Sequence, residues 1–143
     1  MAQVFLDHFI EAHTTYYNIA LAELELGLKT THWMWFIFPR AGGLGRSEFA
    51  KYYAIEKLSE AEAFARHEYL GKNYCNCLHA LLSHRDVPID DILGQVDARN
   101  LQSSVTLFKR AETKGEMALL LSEVLEQFFF GNDCQHTLKL SLD

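Results

Sequence analysis

Apolar residues recur along this chain at helical spacing, and no stretch alternates as a half-buried strand would. Val4, Phe5, Phe9 and Ile10 mark a short helix from Val4 to Ala12. Thr14 or Thr15 is placed to cap a second helix, Tyr16 to Leu26, whose stripe is Tyr17, Ala20, Leu21 and Leu24 and which Gly27 stops. Ser59 with Glu62 reads as a capping box opening a helix to about Arg66. A break or lead-in over His67 to Gly71 precedes a core face of Tyr74, Leu78, Leu81 and Leu82, then a polar loop from Ser83 to Pro88. Ile89 to Leu93 makes one turn closed by Gly94, and Asp97 is placed to cap a helix reaching about Arg110. After Gly115, a stripe of Met117, Leu120, Leu121, Val124, Leu125 and Phe128 opposes Glu116, Glu123, Glu126 and Gln127 until Gly131. Asp133 caps a last short helix carrying Leu138 and Leu142. With no internal repeat and no heptad run, the pattern predicts an all-α fold. It is a single compact domain, residues 1–143, of about seven to nine short helices in an irregular bundle.

One stretch departs from this amphipathic pattern. Every residue from Trp33 to Phe38 is apolar, both tryptophans lie there, and Pro39 ends it. Such a run cannot be assigned to helix or strand by period, and it is far shorter than the ~20 residues a membrane span needs. It leads into Arg40-Ala41-Gly42-Gly43-Leu44-Gly45-Arg46, and Ser47 then caps a helix through Tyr52 with Glu48 in its first turn. Glycines running into a helix start can offer N–H groups to an anion, and Arg40 and Arg46 can bind phosphate oxygens bidentately.

Composition sharpens that contrast. Lys29, Arg40, Arg46 and Lys51 against Glu48 give the stretch from Lys29 to Lys51 a local charge of +3, inside a chain of net charge −6 and pI about 5.6. The acidic balance disfavours nucleic acid and anionic membrane as partners. Apolar residues make up 49% of the chain, which excludes a disordered one. Residues 1–28 contain no Lys or Arg, so neither a secretory signal nor a presequence is expected. Three cysteines without scaffold spacing fit a reducing cytoplasm.

Other chemistry is weaker. The glycine loop matches neither the P-loop nor the dinucleotide-binding spacing. Cys75-x-Cys77 and Cys134-x-His136, with His79, lack the spacing of a structural zinc site, so no metal and no cofactor are expected. Ser103, Ser104 and Thr106 put three hydroxyls in one helical segment, which asks for tight packing or a ligand. His32 and Asp97 are the first acid–base candidates. A serine hydrolase is not supported, because there is no G-x-S-x-G turn and no sheet to carry one.

Several of these pieces resemble a family of small uncharacterised bacterial helical proteins sometimes labelled calpastatin. They are His32-Trp33-Met34-Trp35-Phe36-Ile37-Phe38-Pro39, Gly43-Leu44-Gly45-Arg46-Ser47, Tyr53-Ala54-Ile55, Leu70-Gly71, Asp97, Ser103-Ser104 with Thr106-Leu107-Phe108, and Phe129 with Gly131. The resemblance spans nearly the whole chain and implies an all-α fold and no established activity. The label does not suit the sequence, since calpastatin inhibitory segments are disordered and repetitive. Arg40 stands where the family usually has Gln, and Asn100 where Lys of a D-x-x-K pattern is expected. A looser resemblance to helical domains of the ADP-ribose-related N-glycosidase type adds a little to the phosphate-site reading and transfers no residue role.

These observations lead to two expectations. The first is a cytoplasmic domain that binds or hydrolyses a phosphorylated nucleotide- or sugar-derived small molecule, such as an ADP-ribose derivative. Its site comprises Trp33, Trp35, Arg40, Gly43, Gly45, Arg46, Ser47, Ser103 and Ser104, with His32 and Asp97 as acid–base groups. The second is an interaction or structural module without a small ligand, of unassigned oligomeric state.

Overall fold

The computed structural model describes residues 2–43, 46–111, 114–140 and 142. Among them lie nine helices: α1 (Ala2–Leu26), α2 (Met34–Ile37), α3 (Glu48–Tyr52), α4 (Leu58–Arg66), α5 (Glu68–Leu82), α6 (Ile89–Leu93), α7 (Gln95–Ala111), α8 (Gly115–Phe129) and α9 (Gln135–Lys139). The only pairing of strand type among the described residues is one isolated bridge between Ala41 and Ile55.

The expected break at Thr14 and Thr15 does not occur. α1 is one continuous helix, and both hydroxyls bond back to carbonyls of the preceding turn, Ile10 at 2.9 Å and Glu11 at 3.3 Å. A threonine that can cap can also satisfy itself this way. A continuous buried face of Leu6, Phe9, Ala12, His13, Ala20 and Leu24 carries the helix through the site of the expected cap. Gly27 then stops it with φ of +80°. α4 is capped two residues earlier than expected, at Lys57 rather than Ser59, because Glu60 rather than Glu62 receives the N–H groups of Glu56 and Lys57. His67 ends α4 and starts α5, its Nδ1 accepting from the Leu70 N–H. Ser47 caps α3 as expected, accepting from the Ala50 N–H at 3.1 Å. α7 begins two residues before Asp97, which sits in its first turn, and Cys134 rather than Asp133 precedes α9.

α7 is the hub of the bundle, packed against α4, α6, α8 and α9, while α5 lies between α1 and α8. Phe9, Phe64, Phe108, Tyr74 and Phe38 run through the centre with neighbouring ring centroids 4.7–5.4 Å apart. α5 approaches α4 so closely that a Cβ on Gly71 would collide with the backbone carbonyl oxygen of Ala65. The Gly71 N–H also bonds the His67 carbonyl at 2.8 Å, so the backbone has little room to yield. Gly71→Ala is expected to lower stability in urea titration by ~1–3 kcal/mol, the usual range for overpacking.

The run around the tryptophans is a four-residue helix held from both sides. From α1, the neutral His13 ring donates from Nε2 to the Phe36 carbonyl at 2.8 Å and accepts at Nδ1 from the Asn73 amide at 3.0 Å. Burial pushes its pKa down to about 4. Glu23, also on α1, accepts from the N–H groups of Thr30 and Thr31, the Thr31 hydroxyl and the Trp33 indole. Lys29 closes the same corner, its ammonium 2.9 Å from Asp97 and 5.1 Å from the Trp33 ring centroid.

Candidate functional site

Pro39 ends the buried run, and the next residue emerges at the surface held by its backbone. Ile55 N–H donates to the Arg40 carbonyl at 3.0 Å, and Gly42 N–H donates to the Ile55 carbonyl at 2.9 Å. This two-bond clamp fixes where the Arg40 side chain starts. Its half-buried guanidinium reaches over α7 and lines two neighbouring depressions. One is a narrow recess of about 10 Å³ against Trp35, Phe38, Tyr53 and Asn100, enough for little more than a water. The other is a cleft of about 360 Å³ between α7 and α9.

From α7 that cleft receives Arg99, Asn100, Gln102 and Ser103, and from the α9 start it receives Asp133, Cys134, Gln135 and His136. Two arginines therefore face one carboxylate, and Lys109 already pairs with that carboxylate at 3.2 Å. The Arg40 guanidinium makes no hydrogen bond and no ion pair with any described residue. Burial lowers its pKa, while nearby Cys134 and Asp97 favour its charge. Five N–H donors left this way in a half-buried position are unusual, because desolvated polar groups are normally paired.

Cys134 is built into the wall by α7. Its N–H donates to the Thr106 hydroxyl at 2.9 Å, and Thr106 in turn donates to the Gln102 carbonyl at 2.8 Å. Its sulfur lies 3.3 Å from the Ser103 hydroxyl. Burial alone would raise the thiol pKa. The Ser103 hydroxyl bonded to the sulfur, and the nearby Thr137 hydroxyl and Thr137 and His136 N–H groups, favour its charged form by more than burial opposes it, so the pKa falls below its ordinary value.

The structure thus brings Arg40 and Ser103 into one cleft and disperses the other candidates. Trp33 is 1% exposed with its indole bonded to Glu23, so it has no face to offer a ligand. Trp35 is half-buried and stacks on Phe49 at 5.0 Å, at the recess rather than in the cleft. Ser104 is fully buried and pairs with the Tyr74 hydroxyl at 2.9 Å, which makes it a core residue. Asp97 is engaged by Lys29 and by the Asn100 amide at 3.1 Å, so no free base stands there. His32, Gly43, Arg46 and Ser47 are exposed and line neither depression, with the Ser47 hydroxyl used as a cap. Gly45 lies outside the described residues. The sequence reading passed over Arg99, Gln102, Gln135 and His136 as ligand groups. The one signal for them was the Cys134-x-His136 pair, which led only to a zinc question. Among the described residues no group of three or more His, Cys, Asp or Glu gathers as metal ligands, and no helix is long and apolar enough to cross a membrane.

Residues 3–141 match a family model described as a protein of unknown function, DUF1810. No curated protein matches the chain. Among solved structures it is similar to the conserved hypothetical protein Rv1873 from Mycobacterium tuberculosis. Identity is 34%, the TM-score is 0.88, and the match covers 93% of each chain.

Proposed function

Because the chain belongs to the DUF1810 family, for which no function is known, we propose its activity from its own geometry: it binds a phosphorylated, nucleotide- or sugar-derived small molecule, such as an ADP-ribose derivative, in the cleft between α7 and α9. The observation that carries this reading is the half-buried Arg40 guanidinium without a hydrogen-bond partner among the described residues. A phosphate bound there satisfies a planar fork of donors bidentately, and Arg99 adds a second positive charge at the rim. Asn100 and Gln102 supply amides suited to the hydroxyls of a sugar. In this reading Arg40 and α7, rather than the Gly43–Ser47 loop, take the phosphate, while Trp33 is core and Trp35 lines the neighbouring recess. Three cysteines without a disulfide fit a reducing compartment such as the cytoplasm.

A specific observation favours the other reading, an interaction module. Phe130 is 91% exposed and sits in the left-handed region with φ of +56°, next to a depression lined by Val87 and Pro88. A ligand screen decides between the two. ADP-ribose at ~100 times its dissociation constant is expected to add about 2.7 kcal/mol, a shift of several degrees in melting temperature. Arg40→Ala is expected to abolish the shift without unfolding the protein, since the side chain holds no internal bond among the described residues. Silence toward ADP-ribose, NAD, sugar phosphates and inorganic phosphate would move the weight to the interaction module.

A further inference from the structure

The Arg40 cleft also contains a thiol, and the three cysteines are not alike. Cys77 is buried on α5 and Cys75 is half-buried beside it, while Cys134 lines the cleft with Arg40, Arg99, Ser103 and His136. The Ser103 hydroxyl lies 3.3 Å from the Cys134 sulfur. A second, independent feature points at the same atom. Thr137 is fully buried, and its hydroxyl is the one buried side-chain polar atom among the described residues without a hydrogen-bond partner. It lies near the Cys134 sulfur without bonding it, and with the nearby His136 and Thr137 N–H groups it favours negative charge there. A thiol is a poor acceptor for such donors and a thiolate is a good one. Negative charge on the sulfur therefore strengthens the Ser103 contact and offers the Thr137 hydroxyl an acceptor. Arg40 is close enough to interact with that charge, and the one carboxylate lining the cleft, Asp133, is already paired with Lys109.

We propose that Cys134 is the nucleophile of the Arg40 cleft, selective for small anionic electrophiles. The inference rests on the reading of the cleft as an anion site and gives it a reactive group. In the reaction the sulfur lone pair forms an S–C bond to the electrophilic carbon, and the leaving group departs with the pair of the broken bond. The thiol proton leaves to solvent as the sulfur ionises, and no oxidant enters the balance.

The test is native alkylation of the full chain at neutral pH with limiting iodoacetate or, separately, iodoacetamide, followed cysteine by cysteine by peptide mass spectrometry. In both cases the thiolate displaces iodide, and only the charge of the reagent differs. Cys134 is expected to react about tenfold faster than Cys75. Its preference for iodoacetate, relative to that of Cys75, is expected to be raised roughly tenfold by the cationic wall. Arg40→Gln should reduce that preference to the level of Cys75. Arg99→Gln, at an exposed position where folding is not at stake, should reduce it in part. Excess ADP-ribose or inorganic phosphate should slow Cys134 and leave Cys75 unchanged. A Cys134 that reacts no faster than Cys75, or with the same charge preference, overturns the proposal, even if phosphate shields it. A fast, charge-selective Cys134 that neither ADP-ribose nor phosphate protects upholds the nucleophile and counts against the ligand reading instead.

Discussion

Glu23→Ala is expected to cost roughly 3–5 kcal/mol and to lower the melting temperature by roughly 10 °C, the largest loss of any single truncation considered. The reason is the number of donors that one buried carboxylate serves. Glu23 is 9% exposed and receives the Thr30 and Thr31 N–H groups, the Thr31 hydroxyl at 2.6 Å and the Trp33 indole at 2.9 Å. Truncation leaves the buried indole without its partner and frees the turn that carries the chain from α1 into α2. Glu23→Gln keeps an acceptor and the side-chain shape, so about half the loss is expected. Chemical denaturation of the two variants separates the contribution of the charge from that of the shape. Equal stability of Glu23→Ala and the wild type would show that the corner is held some other way.

The second large effect is acid lability in two stages, both of the same sign. His13 has a folded pKa of about 4 against an ordinary value of 6.5, because burial disfavours its charged form, outweighing the Phe36 carbonyl bond. Between those values the unfolded chain binds a proton that the native state refuses. Stability is therefore full above pH 6.5 and falls as the pH drops toward 4, by about 3 kcal/mol in all. His8 is also depressed by burial and adds in the same direction. Glu23 takes over below that. Burial alone would raise its pKa, but the Thr31, Thr30 and Trp33 bonds hold it at about 2 against an ordinary 4.5. Its contribution is present above pH 4.5 and is lost as the pH falls to 2, again by about 3 kcal/mol. Urea midpoints measured across this range should decline in both windows. His13→Phe should flatten most of the upper window while lowering stability at neutral pH, because the Asn73 amide and the Phe36 carbonyl lose their partner.

The helical architecture was legible because caps, stops and apolar stripes are local chemistry. Ser47 before Glu48, Gly27 after Leu26 and the Met117 to Phe128 stripe carry their meaning within a turn or two. The threonines at 14 and 15 show where local signals become ambiguous. The same hydroxyl serves a cap or a back-bond, and the buried face through His13 decides. The three hydroxyls of α7 show the same limit. Ser104 faces Tyr74 in the core, Ser103 faces the cleft and Thr106 anchors α9, a division set by tertiary neighbours. Trp33 was legible as an important residue but not as an unavailable one, because its indole is taken by a carboxylate on another helix. Arg40 stood out as a charge after an apolar run. That it meets Arg99, Cys134 and His136 depends on α9 folding back onto α7, which no local pattern announces.

If the Arg40 guanidinium takes a phosphate, as proposed, its own resonance reports the binding. In ¹⁵N–¹H spectra of the wild-type protein, the Arg40 Nε–H signal, assigned by its absence in Arg40→Gln, is followed as ADP-ribose is added to millimolar concentration. A saturable downfield shift and slower exchange of this proton are expected, with Arg46 unmoved. An Arg40 signal that stays in place throughout, or a shift confined to Arg46, would contradict the proposal.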